Sequence, residues 1–328
     1  MKILYCNSIE SNTGWGEEFF RAPALNLLDV ETFNIDYRKN RYNLSKKIIE
    51  NRDFDLFFLQ KGDYFPLEIV KSIQRPKILY YTDLVQRFSS SDHLFKSKLF
   101  DLYLVRGESC RKIIIKRGWT EKQNVKIHLS GFEPQVYRNL NYKKEIDVLF
   151  VGTLTDRRRK ILSEIHDHFK VKVVTVFGHE ACRYYNRARI IVNIHAEEFI
   201  DTEIRVYEVL GSGGFLITEK LGDENPFTDN ELVQSYSTED MINKIGKYLK
   251  SSKERKEISS NGYRAAHNNH TYHHRAIELK QIFYDYCKEP LESAINYNRL
   301  LLYSLIEPPL RLKNFLKLRT RLNRYLKS

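Results

Sequence analysis

Charged residues and glycines with a spacing suited to phosphate binding lie in the second half of the chain. An apolar segment runs into residues 193–196, Arg205 and Glu208 stand in the helical segment that follows, and Gly213-Gly214 precedes another apolar segment. In parallel sheets, strand ends and helix N-termini meet at a crevice where unpaired backbone N–H groups and the helix dipole favour an anion. The order of these residues therefore predicts a site for a nucleotide diphosphate.

Arg205 and Glu208 are three positions apart, so they share one face if both are helical. A carboxylate accepts both hydrogen bonds of a vicinal diol, and a guanidinium presents two parallel donors to phosphate oxygens. A simple surface ion pair is the alternative, which the following glycine turn disfavours. The glycines are open to two readings as well, because a Gly-Gly pair also ends helices without any ligand.

A second group of cations follows another predicted strand. That strand ends at Gly152, and a basic helix opens a few residues later with Arg157, Arg158 and Lys160. Two cations at this place would neutralise a departing diphosphate and stabilise the transition state. A solvated basic face is the alternative for at least one of the arginines in this run.

Short apolar runs that alternate with amphipathic segments predict the elements that position these residues. Up to about residue 130, the alternation is typical of a parallel sheet with helices on both faces, and it restarts after Pro134. We therefore expect an α/β protein with two Rossmann-like doubly wound domains facing a cleft. The predicted ranges are 1–135 and 136–275 for the two domains, and 276–328 for a crossover helix and tail.

Two regions of the first domain are candidates for a second part of the site. Gly14, Trp15 and Gly16 lie between the first strand and first helix, where they form either a loop for phosphate or acceptor, or a tight turn with a packed Trp15. Asp83 follows a strand end and could orient or deprotonate an acceptor hydroxyl, although helix capping is the alternative. His93 is a rival base in a polar loop.

Composition narrows the class of protein. The chain has 328 residues, 42% of them hydrophobic, and a net charge of +12. This charge predicts attraction to phosphates of nucleotides, nucleic acid or lipids without choosing among them. The four cysteines form no C-x-x-C pair, and the N-terminus lacks the pattern of a signal peptide, so we expect a reducing, cytoplasmic location.

The C-terminal tail interleaves leucines with cations and contains no acid from residue 308 onward. A basic amphipathic helix of this type binds anionic membrane surfaces, whereas the alternative is a helix packed on the protein with a solvated basic face. No run approaches the ~20 apolar residues that span a bilayer.

The residues from about 130 to 285 resemble the GT-B glycosyltransferases, specifically the retaining family 4-like group and its CgeB-like spore-protein branch. The resemblance rests on residues 130–134 with Tyr137, on the strand to Gly152 with its following cations, and above all on residues 205–208 leading into 213–218. It implies a metal-independent transferase without a cofactor, whose substrate is a UDP- or GDP-sugar. It also implies that residues 1–135 form the acceptor side and residues 136–275 the donor side.

The resemblance implies a role for each candidate residue. Glu208 is expected to bind the donor ribose. The basic residues and the glycine-rich turn are expected to bind the donor diphosphate. The full predicted donor set is Gly152, Arg157, Arg158, Lys160, Asn193, His195, Glu208, Gly213 and Gly214, with Asp83 and Arg205 as catalytic residues. The family's second glutamate falls on Ile200 here, so Glu197, Glu198 and Asp201 are candidates for the missing carboxylate.

No metal site is expected. His267, His270, His273 and His274 lack an H-E-x-x-H pattern or a cysteine partner, which favours structural roles. The Asp53-Phe54-Asp55 run leads directly into a strand, which is not typical of a metal-binding D-x-D.

The function predicted from the sequence is sugar transfer to a hydroxyl of a glycan, glycolipid or other surface polysaccharide, in the cytoplasm or peripherally on the inner face of the plasma membrane. Nucleic acid is not an expected partner, since no RNP-like, helix-turn-helix or zinc-finger pattern is present. The alternatives are a non-catalytic basic protein that binds nucleic acid or anionic membrane, and a degenerate GT-B protein that binds the donor without transfer.

Overall fold

A computed structural model describes residues 1–198, 201–287 and 293–307. The chain divides into two compact units. Unit 1 contains residues 1–104 and 114–126 and the described residues from 279 onward, and unit 2 contains residues 105–113 and the described residues between 127 and 278. The boundaries proposed from the sequence, after residues 135 and 275, stay a prediction.

The first sheet has six strands in the order β2-β1-β3-β4-β5-β6. β1 pairs in parallel with β2 and β3, and β3 pairs in parallel with β4. The strands are β1 (Lys2–Asn7), β2 (Glu31–Asp36), β3 (Leu56–Gln60), β4 (Lys77–Tyr81), β5 (Leu102–Val105) and β6 (Val125–Ile127). The helices in this part of the sequence are α1 (Glu17–Asn26), α2 (Leu44–Glu50), α3 (Leu67–Ser72), α4 (Asp92–Ser97) and α5 (Glu108–Lys116), with a 3-10 turn at Lys122–Asn124.

The second sheet has five strands in the order β11-β10-β9-β7-β8, and all its pairs are parallel. The strands are β7 (Ile146–Val151), β8 (Val171–Val174), β9 (Ala188–Asn193), β10 (Leu216–Glu219) and β11 (Val233–Ser235). The helices are α6 (Asp156–His166), α7 (Gly178–Arg187), α8 (Ile204–Gly211), α9 (Thr238–Lys250), α10 (Ser252–Asn269) and α11 (Tyr272–Tyr286). A last helix, α12, covers residues 297–307.

The central strands are continuous apolar runs because helices cover both faces of a parallel sheet. All five residues of β3 are buried. In unit 2, Phe150, Ile190 and Val192 are fully buried in one core that also contains side chains of α6 and α9. This burial holds the strand ends, and the side chains that follow them, in fixed positions.

The alternation of strands and helices in two sheets confirms the predicted α/β fold. Within the described ranges, no helix is both long and apolar enough to cross a membrane. The predicted basic tail, residues 308–328, lies outside the described residues, as does Ile200.

Candidate functional site

The carboxyl ends of β7 and β9 lie side by side where the strand order of the second sheet reverses. β8 follows β7 in the sequence and pairs on one side of it, whereas β9 pairs on the other side. Ligands of open α/β sheets bind outside the strands at such a switch point. Gly152 directly follows β7 and Asn193 ends β9, so the fold places both predicted residues at this point.

Gly152 has to be glycine for two reasons. Its φ of 147° is a conformation that other residues rarely adopt. A Cβ atom at this position would lie 2.5 Å from Nη2 of Arg205. The missing side chain therefore leaves the space in which the Arg205 guanidinium lies against the backbone.

Arg205 is held by several contacts in the first turn of α8. Its Nη1 donates to Oδ1 of Asn193 at 2.9 Å, and its guanidinium lies 5.4 Å from the centre of the Phe150 ring. Asn193 is itself oriented, because its amide donates to Oγ1 of Thr218 at 3.0 Å. The Arg205 side chain is 15% exposed, so its planar guanidinium, a double donor, is fixed in place before any ligand arrives.

Glu203, the N-cap residue of α8, joins the cations of this site. Its carboxylate lies 3.3 Å from Nη2 of Arg158, 3.6 Å from Nη1 of Arg205 and 3.9 Å from Nδ1 of His195. Burial alone would raise the pKa of Glu203, but the hydrogen bond to His195 and the charges of Arg205, His195 and Arg158 lower it to about 2. The sequence analysis did not include Glu203; its place two residues before Arg205 was the available signal.

Arg158 holds protein groups. Its side chain is buried, with Nε donating to the carbonyl of Ile194 at 2.9 Å and Nη1 to the carbonyl of Thr153 at 3.0 Å. These carbonyls belong to the loops after β9 and β7, so Arg158 ties the two sides of the switch point together. The structure therefore gives its guanidinium a positioning role.

Arg157 is also engaged within the protein. Its two Nη atoms donate to the two oxygens of Glu219 at 2.8 and 2.5 Å, and Nη1 also donates to the carbonyl of His195 at 2.9 Å. The hydrogen bond to Glu219 raises the pKa of Arg157 despite partial burial. Lys160, the third predicted cation of this helix, is exposed.

His195 is a buried member of the same network. Its Nε2 donates to the carbonyl of Lys220 at 2.8 Å, and its backbone N–H donates to Glu219 at 2.6 Å. Burial acts to lower the pKa of His195, but the hydrogen bond and charge of Glu203 outweigh it and the pKa is raised. The surroundings of His195 therefore favour its protonated form.

Two tyrosines hold the carboxylate of Glu208. The hydroxyl of Tyr137 donates to Oε1 at 2.8 Å, and the hydroxyl of Tyr185 donates to Oε2 at 3.3 Å. Tyr137 also accepts a hydrogen bond from the backbone N–H of Gly178 at 3.2 Å. Burial followed by the charge of Glu208 raises the pKa of both hydroxyls, so both stay donors. Tyr137 was a motif residue in the sequence, and Tyr185 was not identified.

The carboxylates considered as a second family glutamate lie in different places. Asp201 is buried and accepts from the backbone N–H of Ser109 at 3.1 Å in the first turn of α5. Burial raises the pKa of Asp201. Glu198 is exposed and Glu197 is half-buried. Asp201 is therefore hydrogen-bonded to α5, whereas Glu203 is the carboxylate beside Arg205.

Gly213 and Gly214 are not brought to this cluster. They follow the C-terminal end of α8, whereas Arg205 lies in its first turn, and eight helical residues span about 12 Å. Gly213 has a φ of 71°, and its N–H donates to the carbonyl of Leu210 at 2.9 Å. A Cβ at Gly214 would lie 2.8 Å from Ile191 and Val209 side chains. The pair ends the helix and permits close packing.

In unit 1, the Gly14-Trp15-Gly16 loop lies over a buried polar network. Gly14 has a φ of 83°, Gly16 is the N-cap of α1, and Trp15 is partly exposed. Glu18 accepts from Ser8 Oγ and Asn12 Nδ2, both at 2.5 Å, and from Gln60 Nε2 at 3.1 Å.

The same network continues to a fully buried arginine. Arg21 donates to Gln60 Oε1 at 2.9 Å and to Glu17 Oε2 at 2.8 Å, and its guanidinium lies 4.7 Å from the centre of the Tyr80 ring. Ser8 and Gln60 lie at the carboxyl ends of β1 and β3, which flank the switch point of the first sheet. Sequence reasoning missed this network, because its members are far apart in the chain.

Asp83 lies in unit 1 with its side chain 38% exposed and 3.9 Å from Nζ of Lys61. The next helix begins only at Asp92, so Asp83 does not cap it. Nε2 of His93 donates to the carbonyl of Phe65 at 2.7 Å, because a carbonyl oxygen can only accept. This hydrogen bond occupies Nε2 of His93, the alternative candidate for the catalytic base.

The clustered histidines contact their neighbours. His267 Nε2 lies 2.9 Å from the carbonyl of Gly211, His270 accepts from Arg275 at 2.5 Å, and His274 lies 2.7 Å from Oγ1 of Thr271. Burial and the charge of Arg275 lower the pKa of His270 to about 4. Among the residues that the structure describes, no group of three or more His, Cys, Asp or Glu side chains is placed to hold a metal.

Comparison with known proteins identifies the second part of the chain. Residues 137–281 match the family described as glycosyl transferase-like. A search of curated proteins finds no match to the chain.

Solved structures resemble nearly the whole chain. Sucrose-phosphate synthase from Thermosynechococcus elongatus is 12% identical with a TM-score of 0.63, over 87% of this chain and 98% of that one. Anabaena Alr3699/HepE in complex with UDP-glucose is 14% identical with a TM-score of 0.63, over 87% and 100% of the two chains. A glycosyltransferase from Rickettsia africae is 10% identical with a TM-score of 0.64, over 88% and 99%.

At these identities the structural matches establish the fold alone. The family match covers the part of the chain that contains Arg205, Glu203 and Glu208. Residues 137–281 therefore match the glycosyl transferase-like family, in a chain with the GT-B fold.

Proposed function

We propose that this chain transfers a sugar from a UDP- or GDP-sugar to a hydroxyl of a glycan, glycolipid or other surface polysaccharide. In this reaction the bond between the sugar's anomeric carbon and the diphosphate oxygen breaks, and a bond to the acceptor oxygen forms. The diphosphate leaves with the bonding electron pair, and the acceptor hydroxyl loses its proton.

One observation carries the proposal: a pre-oriented guanidinium and a held carboxylate lie on the same short helix at the switch point of the second sheet. Arg205 is fixed by Asn193 and by the space at Gly152. Glu208, three residues later, is held by two tyrosine hydroxyls. A nucleoside diphosphate contains both a diphosphate and the vicinal diol of its ribose, and this pair of side chains would suit such a ligand.

In the proposed mechanism, Arg205 stabilises the charge that develops on the leaving diphosphate. A donor that is already oriented needs no rearrangement during the reaction, which is the main source of such electrostatic stabilisation. Glu203 keeps Arg205, Arg158 and His195 close together by offsetting their repulsion. Lys160, exposed on α6, is proposed as a further cation for the diphosphate.

Glu208 would bind the ribose. Two tyrosine hydrogen bonds orient its carboxylate, and a carboxylate can accept both hydrogen bonds of a vicinal diol. The predicted roles of Arg157 and Arg158 at the diphosphate are replaced by the positioning contacts described above.

Asp83, whose carboxylate lies 3.9 Å from Nζ of Lys61, is proposed to orient or deprotonate the acceptor hydroxyl. The Gly14-Trp15-Gly16 loop is proposed to admit acceptor or phosphate. Retention of the anomeric configuration and independence of a divalent ion are proposed from the family resemblance, with Arg205 supplying charge at the leaving group. The proposed location is the cytoplasm, at the inner face of the plasma membrane for lipid-linked acceptors.

Thermal unfolding with UDP, GDP and their sugar conjugates tests the donor site. A ligand at about 100 times its Kd stabilises the folded protein by about 2.7 kcal/mol, which raises Tm by a few degrees. We expect one nucleotide series to give this shift with wild type, and Arg205→Ala to weaken that ligand by about tenfold or more, because charged hydrogen bonds are lost.

Arg159→Ala is the matched control, because Arg159 lies on α6 with its side chain 59% exposed and paired to Asp156. It should bind nucleotide as wild type does. The proposal fails if no nucleotide stabilises wild type, or if the two variants behave alike. Stabilisation by a nucleotide sugar without turnover on any acceptor would instead favour the donor-binding, non-catalytic alternative.

A further inference from the structure

The last described helix of unit 1, α12, is fastened to the unit along one side. Leu300 is fully buried, and Glu307 is 1% exposed. Oε2 of Glu307 accepts from the backbone N–H of Ser45 at 3.0 Å and from its hydroxyl at 2.7 Å. Just before the helix, the N–H of Asn296 donates to the carbonyl of Ser72 at 2.7 Å. The orientation of α12 on unit 1 is therefore set by both of its ends.

The other side of α12 carries an exposed aliphatic surface. Leu301 is 41% exposed, Leu302 66%, Leu305 71% and Ile306 51%. The spacing of one, four and five positions places these four side chains on one face of a helix. A contiguous apolar patch on a soluble protein usually marks a contact with a protein or a membrane.

The sequence that follows α12 distinguishes between these partners. Residues 308–328 contain seven cations and no acid: Arg311, Lys313, Lys317, Arg319, Arg321, Arg324 and Lys327. These residues directly follow the exposed leucines in the chain. Aliphatic side chains beside a block of positive charge are the two signals that together bind an anionic lipid surface.

We propose that α12 docks on an anionic membrane, with Leu301, Leu302, Leu305 and Ile306 inserted among the lipids. A second copy of the chain fits less well, because four partly exposed side chains supply at most about half of the ~800 Å² per partner that a stable interface buries. The link from this contact to a lipid-linked acceptor rests on the proposed function; the contact itself does not.

Sedimentation of the full-length protein with vesicles tests the proposal. The vesicles are phosphatidylcholine alone, or phosphatidylcholine with about one third phosphatidylglycerol. The test variant is Leu302→Asn with Leu305→Asn, and the matched control is Leu27→Asn, an isolated leucine of the same unit that is 79% exposed. We expect wild type to bind the anionic vesicles, the double variant at least about tenfold more weakly, and the control as wild type.

Other outcomes overturn the proposal. It fails if wild type ignores anionic vesicles, or if the double variant binds them as wild type does. A wild-type dimer that the double variant converts to monomer, with unchanged vesicle binding, would assign the surface to a second copy. Faster proteolysis of residues 308–328 in the double variant, again with unchanged vesicle binding, would show that the exposed face of α12 binds the terminal segment instead. Nucleotide stabilisation, measured in parallel, shows whether the donor site is intact in each variant.

Discussion

Replacing Glu203 with glutamine should lower the free energy of unfolding. The size of this loss follows from the shift of the Glu203 pKa between the unfolded and folded states. The pKa falls from 4.5 to about 2 in the folded state. At about 1.4 kcal/mol per pKa unit, the ionised form contributes about 3 kcal/mol to folding at neutral pH. The side chain is 24% exposed, so solvent screening does not remove most of this value. Glu203→Gln loses the charge while keeping the shape.

The pH dependence follows from the sign of the shift. Because the folded-state pKa is lower than the unfolded one, the stabilisation is fully present above pH 4.5 and is lost as the pH falls towards 2. The difference between wild type and Glu203→Gln should therefore be about 3 kcal/mol at pH 7 and less than half of that near pH 3. Chemical unfolding at several pH values measures it.

The unfolding signal has to report on unit 2. The two tryptophans, Trp15 and Trp119, both lie in unit 1, so far-ultraviolet circular dichroism is the suitable probe. Glu198→Gln is the control, since Glu198 is an exposed carboxylate in the same loop region, and it should change stability by less than about 0.5 kcal/mol. A Glu203→Gln effect below about 1 kcal/mol, or one that does not change with pH, would refute the assignment of Glu203 as the compensating charge for Arg158, His195 and Arg205.

Two further predictions concern α8. Tyr137→Phe with Tyr185→Phe should weaken the binding of UDP about fivefold or more while leaving that of 2′-deoxy-UDP nearly unchanged, because the tyrosines hold Glu208, the proposed ligand of the ribose diol. Calorimetric titration of both ligands measures this, and equal losses for the two would contradict the positioning role. Gly213→Ala should cost about 1 kcal/mol or more of stability because its φ is 71°, yet leave nucleotide affinity unchanged; a large loss of affinity would show that the glycine turn contacts the ligand after all.

The fold was predictable because its causes are local. Strands such as β3 and β9 are short apolar runs, and the segments between them have helical periodicity, so the alternation of a doubly wound sheet can be read from the chain. The switch point is less local, since it depends on which side of β7 each neighbouring strand pairs. That choice is made by packing of the whole sheet.

The site was predictable only in part. Arg205, Asn193 and Gly152 were named from the sequence, and the structure brings them together. Glu203 was missed because the expected glutamate was sought at a fixed spacing from Glu208. The spacing of charges along a chain does not say which of them are buried together.

The arginines of α6 show the same limit. Three neighbouring cations look equivalent in the sequence, but Arg158 is 5% exposed and bonded to two loops, Arg157 is paired with Glu219, and Arg159 is exposed. A helix turns by 100° per residue, so neighbouring side chains meet different surroundings.

The sequence by itself determined the fold class, the placement of a candidate anion site after apolar strands, and the helix that carries Arg205 and Glu208, because hydrophobic periodicity and glycine positions act over a few residues. Only the tertiary structure decided which charges pair and which residues hold others in place. Glu203 meets Arg158 across 45 positions, and Glu208 meets Tyr137 across 71. Such contacts depend on the three-dimensional packing of strands and helices, and no short-range pattern encodes them.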